Sequence, residues 1–441
     1  MVEVKFIIID SGNMGKYTIY DEEIVDSKIQ SQLNVILEQL LKKIPNIQSV
    51  VLAGGFGRGE GSVIINGDDV QPLKDYDIFV FLDDLPSKKI INSLNENIYN
   101  ELGIRNPSND DFKFSEFVVD IQFRNRKFLE FLPDIATVDL KKASYLLFGE
   151  SINESIPWNA DDIPVTSGLR LLFEKMTGLI GHFSMEYITS GFDDKKRNFI
   201  IYECYKTYVE IATSLCILMG CYESSYKKRA EIFSKNFKEK LPDLHCKLPE
   251  LPDLVIEATN FKLKPKFDKF DYNMLDFWDK TRKILLIVLS YYLENYTKLE
   301  LDEISDYARP ELLKIISDRY HRPYLNNFLH SNLKIRNQNV ISIINHFSNL
   351  YLNYRYYKEL KKEFGIIFFP QVCSIKSPII KIYLTSPLIL FSIKTDGTIE
   401  EKNFQKAREK MEELIPYLEN KKLSWNNLRD AYILSYKLYY M

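Results

Sequence analysis

The run Val50-Val51-Leu52-Ala53 is followed at once by Gly54-Gly55-Phe56-Gly57-Arg58-Gly59-Glu60-Gly61, and further on by Asp75-Tyr76-Asp77-Ile78-Phe79-Val80-Phe81. This order constrains the chain more than any other feature. It reads as an apolar strand, a glycine-dense turn, an insertion, and a second apolar strand that carries two carboxylates. Glycines lack Cβ, so the turn can adopt backbone angles closed to other residues and bring N–H groups onto a phosphate. A Walker loop is excluded because no Gly-Lys-Ser/Thr follows. Arg58 and Glu60 break the spacing of a dinucleotide fingerprint.

Asp75 and Asp77 stand two apart on a strand, so their side chains leave the same face. Tyr76, Ile78, Phe79, Val80 and Phe81 surround them with apolar bulk, which predicts a central strand. Two like charges at the mouth of such a strand are costly without a cation, and paired carboxylates suit a hard one. Asp120 lies inside the apolar run Phe117–Phe123 and offers a third acid. Asp134 and Asp139 follow a proline or fall in a helix-like segment, where capping or a surface position suffices. A phosphate cradle beside paired carboxylates equips a chain for metal-assisted chemistry on a nucleoside triphosphate.

Together these residues resemble the nucleotidyltransferase signature of the polymerase β-like superfamily, a Gly-Gly or Gly-Ser turn followed by Asp-x-Asp. Arg58-Gly59-Glu60 is similar to the Arg-Gly-Glu of minimal and aminoglycoside-type members. The resemblance implies transfer of a nucleoside monophosphate from an NTP, ATP first, to an acceptor hydroxyl with release of pyrophosphate. It implies two Mg²⁺ ions, with Mn²⁺ as a substitute, held by Asp75, Asp77 and Asp120. Asp120 would also help to deprotonate the attacking hydroxyl. Gly54, Gly55, Arg58 and Glu60 would attend the nucleotide, although Arg58 reads equally as a partner of Glu60 that fixes the turn. The acceptor is a small molecule, a protein or an RNA end. The rival reading is a catalytically silent nucleotide-binding or toxin–antitoxin-type partner on the same fold. One departure stands out: minimal members place Asp-x-Asp soon after the Glu, whereas here Ser62–Lys74 intervene. Asn66-Gly67 predicts a β-hairpin in that insert.

The expected fold class is an α+β domain, a mixed sheet with helices, followed by a mainly helical C-terminal region with a few strands. Expected domains are residues 1–158 (catalytic), 159–300 (helical) and 301–441 (helical with short strands). Strands are predicted at Val4–Ile9, Ser49–Ala53, Ile78–Leu82 and Phe117–Phe123, and helices at Glu22–Lys43 and Lys88–Leu102. Phe131–Glu150 reads as a helix closing on glycine. Helices are also predicted at Leu169–Ile180, Asn198–Gly220, Asp276–Asn295, 301–363 and Ile399–Glu419. Phe233–Lys266, with four prolines, reads as a loop-rich excursion, and Ile366–Phe369, Ile379–Leu384 and Leu388–Ile393 as strands.

With 441 residues and 45% hydrophobic content, the chain can bury a large core. Its net charge of −3 supplies no global basic field for nucleic acid. Five cysteines without paired spacing argue for a reducing compartment. Met1–Asp10 reads as a strand, not a leader, and Ile284–Leu293 is too short to span a bilayer, so a cytoplasmic protein is expected. Arg170 and Lys175 are candidates to close over a triphosphate, although a solvated helix face is the stronger reading. The five histidines, and Cys204, Cys216 and Cys221, read as structural. Tyr202, Tyr205 and Tyr208 read as packing. Lys195–Arg197 and Lys227–Arg229 read as solvated faces.

Overall fold

The computed structural model describes residues 15–20, 22–67, 69–106, 117–131, 133–334, 337–365, 373–415, 418 and 423–440. The predicted strands Val4–Ile9 and Ile366–Phe369 lie outside them.

The N-terminal part is a mixed sheet with helices. Helix α1 (Glu23–Lys43) leads into strand β1 (Ser49–Leu52), and the glycine run forms a single helical turn, α2 (Gly54–Gly57). The insert is a hairpin as expected, β2 (Val63–Asn66) against β3 (Asp69–Pro72), with Gly67 at φ 61° in its tip. Strand β4 (Asp75–Phe81) is followed by α3 (Lys88–Leu102), which crosses over to β5 (Val118–Arg124). After the short helices α4 (Phe128–Phe131) and α5 (Ile135–Lys142), strand β6 (Tyr145–Gly149) completes the sheet.

The sheet order is β5-β4-β1-β6. β4 and β5 are parallel, and β1 runs antiparallel to both β4 and β6. Because side chains alternate across a strand, Val50, Leu52, Ile78 and Val80 pack with Ile29, Leu33 and Ile98 of α1 and α3. Val51, Phe79 and Phe81 face the other way, onto Leu129, Leu140 and Ile152. Asp75 and Asp77 share parity with Phe79 and Phe81, so they leave the face turned away from α1 and α3.

From Val165 onward the chain is mainly helical. Its helices are α6 (Val165–Gly181), α7 (Glu186–Ser190), α8 (Asp194–Leu218), α9 (Tyr226–Lys240), α10 (Pro242–Lys247), α11 (Leu251–Leu263) and α12 (Met274–Thr297). There follow α13 (Pro310–Arg319), α14 (Arg322–Leu333), α15 (Gln338–Phe364), α16 (Pro378–Leu390), α17 (Glu401–Leu414) and α18 (Trp425–Tyr440). Buried residues from Leu169 to Leu438 form one cluster. Gly178 lets α6 and α8 approach closely, since a Cβ there would overlap the Glu203 carboxylate. No described helix is long and apolar enough to cross a membrane. All five cysteines are free, and Cys204 and Cys216 are buried.

Three stretches differ from the sequence reading. Phe131–Glu150 is not one helix: its second half is strand β6, a short apolar run that pairs with β1. Phe233–Lys266 is built of α9–α11 instead of loop. Two of its four prolines, Pro242 and Pro252, act as helix starters in the first turns of α10 and α11, where the missing N–H costs no bond. Ile379–Leu384 and Leu388–Ile393 are not strands. They lie mostly in α16, which is buried on all sides, so its sequence lacks the polar face that marks a helix.

Candidate active site

The parallel register sets Asp77 opposite Asp120 and Asp75 opposite Val118. Neighbouring strands run about 4.8 Å apart and paired residues project from the same face, so three carboxylates from two strands emerge together. Beside them the chain leaves β1 through Ala53, whose N–H donates to the Asp77 carbonyl at 2.8 Å. Gly54 then takes φ +62°, and a Cβ there would overlap Asp77 Oδ2. The glycine turn therefore lies directly against the Asp77 carboxylate, and only glycine fits that contact.

Burial, and after it the charges of Asp75 and Asp120, push the Asp77 carboxyl up to about 7, against the pull of Lys206 and Arg58. Burial also raises Asp120, opposed by the hydrogen bond its Oδ2 accepts from Gln122 Nε2 at 2.8 Å. Clustered acids that resist ionisation are the electrostatic counterpart of a cation site, and an all-oxygen donor set fits a hard divalent ion. Among the described residues, no group of three His, Cys, Asp or Glu forms a ready-made metal cage. An open arrangement of this kind suits Mg²⁺, which is usually held by one or two carboxylates plus substrate phosphates.

Across from the aspartates, α6 and α8 wall a cavity of about 580 Å³ that reaches from Asp75 and Asp120 to Glu174, His182 and Lys206. Burial opposes the charge of Lys206, but Tyr202 and the carboxylates of Glu203, Asp75 and Glu210 outweigh it and hold its pKa above the ordinary value. Lys175 pairs with Glu203 at 2.7 Å. Burial works against the Glu203 carboxylate, yet Lys175, His182 and Lys206 bring it down to about 2. His182 is held neutral near 4 by burial. Sequence reasoning singled out the tyrosines of α8 and passed over Glu203 and Lys206 between them. The available signal was three charges, Glu203, Lys206 and Glu210, within a helical stretch otherwise mostly apolar.

Arg170 and Lys175, the candidates for closing over a triphosphate, are both engaged. Arg170 bonds Asp134 at 3.1 Å and Glu174 at 3.6 Å, and Lys175 is held by Glu203. Asp134 also caps α5, the role expected of it.

Arg58 and Glu60 make their bonds in the contact between sheet and helices, with the Arg58 charge still felt at Asp77. Arg58 Nη1 meets Asp139 Oδ2 at 2.8 Å, its Nε faces Glu60 Oε2 at 3.6 Å, and its guanidinium lies 4.3 Å over the Tyr226 ring. Glu60 accepts from Ser225 Oγ (2.7 Å), Tyr226 N (2.7 Å) and Lys227 N (3.2 Å), sealing the start of α9. In this structure the Arg58 guanidinium is engaged by Asp139, Glu60 and Tyr226. Nearby, Lys262 Nζ donates to Ser62 Oγ at 2.9 Å. These contacts clasp the sheet to the helical wall. Arg58→Ala removes the cation shared by buried Glu60 and half-buried Asp139, which keep only their neutral donors, and breaking such a buried pair costs about 3–5 kcal/mol. The expected result is a fall in Tm of several degrees by calorimetry. Arg58→Lys should recover little of it, because an ammonium cannot stack flat on Tyr226 while bonding Asp139.

No family model matches the chain, and no curated protein matches it. Among solved structures, it is similar to the crystal structure of spectinomycin adenyltransferase AAD(9) from Enterococcus faecialis with ATP and spectinomycin. That match has 13% identity and a TM-score of 0.34, and covers 59% of this chain and 98% of that one.

Proposed function

We propose that the protein is a metal-dependent nucleotidyltransferase that moves a nucleoside monophosphate from an NTP, ATP first, to an acceptor hydroxyl and releases pyrophosphate. The observation that carries this reading is the register of β4 and β5, Asp77 beside Asp120, with the Gly54 turn seated on Asp77. In this reading residues 1–158 are the catalytic domain, and residues 159–300 and 301–441 form the helical counterpart that selects the acceptor. Gly54 and Gly55 hold the triphosphate through backbone N–H groups. Asp75, Asp77 and Asp120 would hold Mg²⁺, and the ion would supply neutralisation of phosphate charge and stabilisation of the attacking and leaving oxygens. Lys206 faces the aspartates across the cavity and balances phosphate charge. Asp120, its carboxyl raised by burial, accepts the proton of the acceptor hydroxyl.

The test is incubation of the full chain with ATP labelled at either the α- or γ-phosphate, Mg²⁺ and cell extract. Label from the α-position should appear on an acceptor, together with pyrophosphate, and excess EDTA should abolish it. Transfer of γ-label alone would replace the proposal with phosphotransfer. Nucleotide binding without transfer of either label would favour the silent binding protein.

A further inference from the structure

Helix α15 carries an exposed apolar stripe that the catalytic reading leaves unused. Val340, Ile343, Phe347, Tyr351 and Tyr354 are 38–66% exposed, and their spacing of three or four residues places them on one face. The opposite face is buried through Ile341, Asn345, Asn349, Asn353 and Tyr356. We propose that this stripe is the interface of a homodimer, in which two copies of α15 pack antiparallel about a twofold axis at Phe347.

Three observations select a second copy as the occupant. The first is spacing: Val340 and Tyr354 each lie seven residues from Phe347, and Ile343 and Tyr351 each lie four. An antiparallel pair centred on Phe347 therefore sets Val340 against Tyr354 and Ile343 against Tyr351, smaller against larger on both sides. An isologous interface requires this self-complementarity.

The second is charge. From Gln338 to Tyr354 the helix contains no Asp, Glu, Lys or Arg, and His346 is turned to Asp318 at 3.6 Å. A neutral face meets its own copy without like-charge repulsion and offers nothing to select an acidic or basic partner. Charge depletion with aromatic enrichment is also the composition of interface cores. The basic residues of α15, Arg355, Lys358, Lys361 and Lys362, are confined to its C-terminal turns beyond the stripe, whereas a helix lying on a membrane would carry Lys and Arg along the flanks of its apolar face.

The third is area. Given about 150–250 Å² for a fully buried aromatic side chain, the five stripe residues leave on the order of 500–600 Å² open on each chain. Doubled, that clears the about 1,000 Å² expected of a specific interface, and it stands at the upper end of the single patches usual on monomers.

Sedimentation equilibrium of the full chain at micromolar concentration tests the proposal. The expected mass is twice the monomer's 51.9 kDa. Phe347→Glu places two carboxylates face to face on the axis and should weaken association about a hundredfold or more, with far-UV circular dichroism unchanged. In a background with exposed Cys246 and Cys373 replaced by serine, Phe347→Cys should cross-link to itself under mild oxidation, whereas Val340→Cys should not. A monomeric wild type over the whole range overturns the proposal. So does a dimer indifferent to Phe347→Glu, cross-linking equal at both positions, or capture of the stripe by phosphatidylserine vesicles in place of self-association.

Discussion

Asp77→Asn is expected to reduce nucleotidyl transfer by about a thousandfold or more, equivalent to about 4 kcal/mol of transition-state stabilisation, while leaving the protein as stable as wild type or more so. The two effects have one cause. Asp77 is enclosed by the sheet and repelled by Asp75 and Asp120, and burial with those two charges drives its carboxyl up to about 7. An amide of the same shape removes the repulsion together with the hard oxygen charge that the chemistry needs. Function kept at the expense of stability is common at active sites. Asp75→Asn and Asp120→Asn should follow the same direction. Steady-state rates and melting temperatures of the three variants check it. Lost activity accompanied by an equally large loss of stability would mean that the aspartates are structural.

Gly54→Ala is expected to cost both stability and activity. At φ +62° an alanine gives up about 1–2 kcal/mol, and its Cβ would also overlap Asp77 Oδ2. Relief requires displacing either the carboxylate or the turn, which brings the expected loss to about 2–4 kcal/mol and the activity loss to about a hundredfold or more. Gly67→Ala supplies the control. Its φ is similar, +61°, but a Cβ there meets nothing within 4 Å. It should therefore cost only the backbone term and leave transfer intact. Urea unfolding and initial rates for the two variants separate backbone strain from contact with the Asp77 carboxylate.

The parts of the fold that could be read from sequence are those where period and punctuation agree. β1, β4 and β5 are apolar runs bounded by glycine or charge, and the hairpin insert is marked by Asn66-Gly67. The misread parts are those where one signal served two structures. Pro242 and Pro252 looked like breakers but sit in the first turns of α10 and α11, and α16 lacks the polar face that would have marked it as helix. The Asp75–Asp77 pair and Asp120 were visible because each acid interrupts an apolar strand. The partners of Arg58 and Glu60 were not visible, since Asp139 and Ser225–Lys227 lie far along the chain and only packing brings them together. The same holds for Lys206, whose position opposite the aspartates depends on how α8 is docked against the sheet.

Manganese electron paramagnetic resonance in the presence of a non-hydrolysable ATP analogue examines the ion site without depending on the acceptor. The wild-type chain should take up Mn²⁺ with the nucleotide, and Asp75→Asn, Asp77→Asn and Asp120→Asn should each weaken that uptake by tenfold or more. Uptake unchanged in all three variants would show that these carboxylates do not share an ion, and the transferase account would fall with them.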